Sequence, residues 1–341
     1  MKIDIQICPH ELHFKRTTRT SRGVYDLRKI WYVRTPEGYM GECAPLPDLS
    51  CDFDAQYEQH LSTACKDLME SGTIDREKLR NQPSVLFGLE TLLLHLNRQS
   101  WKLYDTPFAE GHAGIPINGL IWMGDYQDML QQIEEKIKAG FRCVKLKIGA
   151  IDFERELSLI KHIRAHFSAK EIELRVDANG AFSPIEAMDK LKRLAEMDLH
   201  SIEQPIRAGQ WDEMAKLTAD TPLPIALDEE LIGCNDPQEK RRLLETIHPQ
   251  YIILKPSLHG GFSGCEEWIH LAEEILDSNE KQPKWWATSA LESQVGLNAI
   301  AQWCATFNNP LPQGLSTGEI FTDDNRGLIR RKEDMIWFNK M

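Results

Sequence analysis

The chain has 341 residues, 42% of them hydrophobic, and a formal net charge of −12. That is enough apolar material for a large core and two domains, and the acidic balance disfavours nucleic acid and anionic membrane as partners. No apolar run reaches the length of a membrane span, and the N-terminal stretch lacks the apolar centre of a signal peptide. The eight cysteines form no C-x-x-C pair, so they read as reduced core thiols of a cytoplasmic protein.

In chain order, Ile3, Ile5 and Ile7 share one face, a strand signal over 1–14. Residues 15–23 are polar and basic and read as a loop. Residues 24–34 and 39–44 are strand-like about the turn Pro36-Glu37-Gly38, and 41–50 is a loop punctuated by proline. Helical periodicity follows over 54–70 and again over 84–97. Residues 1 to about 105 thus read as an α+β unit.

A strand–helix period then begins. Strands are predicted at 114–121, 142–147, 172–177, 200–204, 224–227, 250–255, 285–290 and 313–317. Helices fall between them at 127–139, 152–166, 211–219, 266–277 and 293–306, with another starting at Pro237. The helix after the third strand carries a start signal, with Ser183 as cap, Pro184 in the first turn and Glu186 three residues on. Eight such units close a barrel, with the active site at the C-terminal strand ends. The chain divides as 1–105, 106–318 for the barrel, and a segment 319–341 expected to fold back onto the first unit.

Five strand ends carry charge: Lys145-x-Lys147, Asp177, Glu203, Asp228 and Lys255. From Lys147 the steps are 30, 26, 25 and 27 residues, each the length of one strand, one helix and two loops. Lys145 and Lys147 point to one side of their strand. Three carboxylates from successive strands suit Mg²⁺, a hard cation that keeps positions for water or substrate. Glu229 and Glu230 compete with Asp228 for the third place, and spacing does not separate them. Lys147 and Lys255 would face each other across the barrel. Burial and neighbouring positive charge lower a lysine's pKa, which suits a base near neutral pH. The implied chemistry is removal of a proton α to a carboxylate, on a small-molecule carboxylate substrate. Arg175 and Asn179 flank Asp177 at even spacing and are expected to share its inward face in supporting roles. Nothing in the pattern fixes an oligomeric state.

VKLKIG, VDANGAF, IEQP, ALDEE and ILKP, in this order and spacing, resemble the muconate-lactonizing subgroup of the enolase superfamily. The resemblance implies a modified TIM barrel, (β/α)₇β, with an α+β N-terminal capping domain. It also implies metal ligands Asp177, Glu203 and Asp228, Lys147 as base, Lys145 in its support, and Lys255 stabilising the intermediate from the opposite face. The cofactor would be Mg²⁺, with Mn²⁺ as a substitute. Within the subgroup, GECAPLPDLS at 41–50, TSALESQVGLNAIA at 288–301 and LPQGLSTGEIFTDDN at 311–325 are similar to the o-succinylbenzoate synthase family of menaquinone biosynthesis. Ser289, Ser316, Thr317 and Gly318 would then border the substrate tail, and the loops 17–23 and 45–52 would close over the mouth. Sister dipeptide epimerases carry Asp-x-Asp on the eighth strand, which here reads QGLSTG without an acid. Muconate cycloisomerases and N-acylamino acid racemases share the five site positions and stand as alternatives, and a non-catalytic metabolite-binding barrel is the reading from another class.

Overall fold

The computed structural model describes residues 3–19, 23–276, 283–324 and 326–340. The chain opens with an antiparallel meander, β1 (Gln6–Arg19), β2 (Val24–Arg34) and β3 (Met40–Cys43). The predicted loop over 15–23 is shorter than expected, because β1 runs on to Arg19 through an irregularity in its register between His13 and Thr18. Residues 20–22 of that loop lie outside the described residues.

Two helices cover the meander, α1 (Tyr57–Ser71) and α2 (Pro83–Arg98). β3 crosses α2 at two glycines. A Cβ on Gly41 would lie 1.9 Å from the Gly88 carbonyl oxygen, and one on Gly88 would lie 2.2 Å from Cys43 Sγ. Only hydrogen at both positions allows so close an approach.

The strand–helix alternation then runs β5 (Gly119–Ile121), α3 (Tyr126–Lys138), β6 (Cys143–Lys147), α4 (Phe153–His166), β7 (Glu173–Asp177) and α5 (Pro184–Ala195). It continues through β8 (Ser201–Glu203), α6 (Trp211–Asp220), β9 (Ile225–Leu227), α7 (Pro237–Ile247), β10 (Tyr251–Leu254), α8 (Gly261–Ile275), β11 (Trp285–Ala287) and α9 (Gln294–Cys304). These strands form one parallel seven-stranded sheet in sequence order. Its core is dominated by buried aliphatic side chains such as Val144, Leu174, Ile202, Leu227 and Leu254. Both sheet faces are covered, as a parallel sheet requires.

The predicted eighth strand is reduced to two bridging residues. Gln313 pairs with Ile117 and Gly314 with Thr288. Backbone bonds from Gln313 N–H to Pro116, just before β5, and from Gly314 N–H to Ala287 on β11, at 2.8 Å each, bridge the gap between the two edges of the sheet. A pair of prolines, Pro310 and Pro312, precedes the bridge and limits how far a ladder can extend. The predicted first strand is split. Its start, β4 (Ile115–Pro116), pairs antiparallel with the C-terminal hairpin β12 (Ile329–Lys332) and β13 (Met335–Phe338), and only β5 joins the barrel sheet. α8 begins five residues earlier than predicted, because Gly260 caps it in a left-handed conformation at φ 84°. The capping of α5 is as expected, with the Ser183 N–H donating to Glu186 Oε1 at 3.4 Å.

Residues 320–323 run against β1. Lys15 N–H donates to the Ile320 carbonyl, Thr322 N–H to that of His13, and the Phe14 and Phe321 rings lie 4.8 Å apart. Among the described residues, no helix is long and apolar enough to cross a membrane. No cysteine is bonded to another, and six of the eight are buried.

A polar seam joins the meander to the barrel. Glu42, fully buried on β3, accepts from Ser293 N–H and Gly296 N–H at the start of α9, both at 2.8 Å, and from the Ser293 hydroxyl at 2.5 Å. Burial pushes its carboxyl up to about 7, against the pull of these donors. Replacing Glu42 with Ala leaves three buried donors without an acceptor, at about 1–3 kcal/mol each before relaxation. Urea denaturation of Glu42→Ala should show a midpoint well below that of the unmodified chain. An unchanged midpoint would mean the seam contributes nothing to stability.

Candidate active site at the barrel mouth

β6, β7 and β8 lie in a register that pairs Lys147 with Asp177 and Asp177 with Glu203. The three side chains therefore share one face and one layer at the C-terminal ends of adjacent strands. Asp228 follows β9 directly and Lys255 follows β10. Lys145 sits one layer deeper. Its ammonium reaches up to Asp177 Oδ2 at 3.0 Å and Glu203 Oε2 at 2.8 Å. Lys147 donates to the same Asp177 oxygen at 3.0 Å and to Asn179 Oδ1 at 2.8 Å. Four strands on from Lys147, Lys255 donates to Asp228 Oδ1 at 2.6 Å and also engages Oδ2.

The electrostatics follow from burial and pairing. Burial alone would raise the Asp177 carboxyl, but the ammonium groups of Lys145 and then Lys147 outweigh it and hold it well below the usual carboxylate range. Burial is outweighed at Asp228 too, by Lys255, and its carboxyl is also held low. Glu203 goes the other way. Burial, then the Asp177 charge, push it well above the ordinary value. The expectation of a net lowered lysine pKa fails for Lys145 and Lys255. Burial does lower both, but Asp177 and Glu203 raise Lys145 by more, and Asp228 and Glu229 raise Lys255.

Among the described residues, no three acidic, imidazole or thiol groups stand as a preformed metal shell. The lysines hold the carboxylates instead. Two carboxylate oxygens of the cluster, Glu203 Oε1 and Glu229 Oε2, are buried without a hydrogen-bond partner. A buried carboxylate oxygen left over beside two further carboxylates fits a hard divalent cation.

The geometry also separates the three acids that follow β9. Glu230 turns aside to brace a neighbouring loop, accepting from Gly209 N–H at 2.7 Å and Gln204 Nε2 at 3.1 Å. Glu229 accepts from Asn179 Nδ2 at 2.9 Å. Only Asp228 faces Lys255. Asn179 stands at φ 43°, a left-handed conformation that Asn tolerates better than most residues, and links Lys147 to the loop after β9.

Above the charges lies a cavity of about 860 Å³, counted out to its open mouth. Lys145, Lys147, Asp177, Asn179, Glu203, Asp228 and Lys255 all line it, as do Ser289, Ser316 and Thr317. Two expected positions do not. Arg175 is inside the barrel, but a layer too deep. Its guanidinium stacks on Trp286 at 4.2 Å and bonds to Glu173 and the Pro312 carbonyl. Gly318 packs against Leu297 and offers its carbonyl to Gln294. Even spacing fixed the face for Arg175 and not the depth.

The first unit contributes Tyr25, Leu46, Pro47 and Leu49 to the cavity wall. Of the two loops expected there, 45–52 reaches this wall, while Thr17 lines a neighbouring hollow and 20–22 lie outside the described residues. The sequence reading missed Asn118, although a lone polar residue between apolar neighbours was a signal. It also missed Glu292, which accepts from the Ser257 and Ser289 hydroxyls while Thr317 donates to Ser289, tying three loops together. Leu120, Trp122 and Leu291 carry no signal that separates them from core residues.

Removing Lys145 strands Asp177 and Glu203 without their shared ammonium. Breaking a buried pair from one side costs about 3–5 kcal/mol. Lys145→Met should lower stability by that order in urea denaturation of the metal-free protein at pH 7. Stability equal to the unmodified chain would contradict the pairing described above.

The sequence model of the family described as "Enolase C-terminal domain-like" matches residues 128–332. An o-succinylbenzoate synthase of Desulfotalea psychrophila is 44% identical over 92% of this chain and 93% of its own. The solved structure of MenC from Desulfotalea psychrophila superposes with a TM-score of 0.83 at 37% identity, covering 99% of this chain and all of that one. The o-succinylbenzoate synthase of Thermosynechococcus elongatus, solved with Mg in its active site, shares the fold at a TM-score of 0.72 and 24% identity, over 91% of this chain and 92% of that one. With a capping unit, a parallel barrel sheet and this similarity across almost its whole length, the chain belongs to the enolase superfamily.

Proposed function

We propose that this chain is an o-succinylbenzoate synthase, a carbon–oxygen lyase. It dehydrates 2-succinyl-6-hydroxy-2,4-cyclohexadiene-1-carboxylate to 2-succinylbenzoate in menaquinone biosynthesis, in the cytoplasm. The observation that carries this reading is the placement of Lys147 and Lys255 on either side of Asp177, Glu203 and Asp228 at one barrel mouth. Similarity to the Desulfotalea synthase over nearly the whole chain supports the choice of substrate.

Asp177, Glu203 and Asp228 would hold one divalent cation, Mg²⁺ with Mn²⁺ as a substitute. When bound, the cation supplies positive charge to the substrate carboxylate and lowers the cost of removing the adjacent proton. Lys147, as the free amine, takes that proton. Negative charge then builds on the carboxylate oxygens, and the Lys255 ammonium faces it from the opposite side. Lys147 returns the proton to the hydroxyl leaving the neighbouring ring carbon on the same face. Water departs and the ring becomes aromatic.

Lys145 balances Asp177 and Glu203 beneath the site, and Asn179 anchors Lys147. Ser289, Ser316 and Thr317 border the substrate tail, while Arg175 and Gly318 act only through the packing of the barrel and the last loop. Tyr25, Leu46, Pro47 and Leu49 form the lid that excludes water. The epimerase alternative lacks its acids here. Asp323 is bonded to His13 and Asp324 to the Gln294 N–H, and neither lines the cavity.

An ultraviolet assay with the cyclohexadiene substrate tests the proposal. Absorbance of the aromatic product should appear with Mg²⁺ and not in chelator. No change with either Mg²⁺ or Mn²⁺ would retire the synthase reading in favour of a racemase. Glu203→Gln should stay folded and lose turnover, whereas near-normal activity at ordinary Mg²⁺ would remove Glu203 from the ligand set.

A further inference from the structure

His259 is fully buried, four residues past Lys255, and has no place in the chemistry above. Lys255 stands just past the end of β10, where the strand ladder no longer supplies its N–H with a partner. That N–H donates to His259 Nδ1 at 3.0 Å. The return bonds come from Leu258 N–H at 2.8 Å and His259 N–H at 3.0 Å, both to the Lys255 carbonyl. Both peptide groups of Lys255 are therefore held by one short turn, and the direction of its side chain follows from it.

The ring accepts through Nδ1, so its proton sits on Nε2. Burial, together with the charges of Lys255 and Lys240, outweighs the pull of Asp228 and holds the imidazole down to about 3. It remains a neutral acceptor throughout the range in which an enzyme of this kind works. Nε2 has no hydrogen-bond partner among the described residues, and His259 borders a small hollow lined also by Arg76, Arg80, Lys240 and Ser263.

We propose that His259 is a positioning residue for Lys255. It fixes the backbone from which the ammonium is aimed across the cavity, and it does so through one acceptor atom at one place. This rests on the reading of Lys255 as the group that stabilises developing charge.

Three variants test it in the full chain with Mg²⁺. In His259→Asn, the amide oxygen falls where Nδ1 stands. In His259→Gln, it falls one atom further out. His259→Leu fills the space with no acceptor. Misplacing a charged group by about an ångström costs roughly a hundredfold. Leu and Gln should therefore lose about tenfold to a hundredfold in kcat with KM changed by less than about threefold. Asn should recover most of the loss. Should Leu fail to fold, the contrast between Asn and Gln carries the test. Equal kcat in Asn and Gln, or unmodified kcat in Leu, would overturn the proposal, as would losses that follow thermal stability alone. Lys255→Ala is measured in parallel. If it turns over at the unmodified rate, the reading of Lys255 fails, whatever the His259 variants do.

Discussion

Everything at the barrel mouth depends on one constraint, which is that charged groups of both signs are crowded together in a largely buried space. Three carboxylates and three ammonium groups come from five consecutive strands, with Asp177, Glu203, Asp228, Lys145 and Lys255 almost wholly buried. None of these charges could be buried singly. Together they offset one another, and each fixes its neighbours. Asp177 is held ionised by two lysines, Asp228 by one, and Glu203 is left with an oxygen that nothing in the protein satisfies. A fold that could bury these groups without compensation would have no reason to place them in register. The parallel sheet supplies that register, because Lys147, Asp177 and Glu203 are consecutive ladder partners.

The rest of the chain encloses this cluster on its flanks. The meander docks on α9 through Glu42, and the buried Arg28 donates to the carbonyls of Ala44 and Pro45 on one side of the seam and Ala290 on the other. That joins the wall formed by Leu46, Pro47 and Leu49 to the wall formed by Ala290 and Leu291. Beneath, Glu292 gathers Ser257 and Ser289. The charged strand ends and the wall contributed by the first unit are thus parts of one hydrogen-bonded frame. Low dielectric strengthens every charge interaction inside it.

The sequence carried the barrel well, because a strand must alternate and a charge at its end is conspicuous against an apolar run. Four of the charged strand ends needed only the period of the repeat, while the choice of Asp228 over Glu229 and Glu230 needed the family resemblance as well. Where the reading went astray, local pattern competed with tertiary context. Residues 15–19 look like a polar loop, yet pairing with β2 and residues 320–323 makes them strand. Gly260 and Gly261 look like a break, yet they open α8. Arg175 has the right parity, but parity says nothing about depth along the barrel. The roles of Glu42, Glu292 and His259 rest on contacts between residues far apart in sequence or on the shape of a turn, and no periodicity reports these.

The central claim is that Lys147 moves the proton while Lys255 only stabilises charge. Incubating substrate with Lys147→Ala and Lys255→Ala in deuterated water, with Mg²⁺ present, tests it most directly. The account predicts neither deuterium exchange nor product with Lys147→Ala. With Lys255→Ala it predicts slow residual product, because the base remains and only electrostatic stabilisation is lost. Exchange that survives in Lys147→Ala and vanishes in Lys255→Ala would place the base on the opposite face of the barrel and contradict the account.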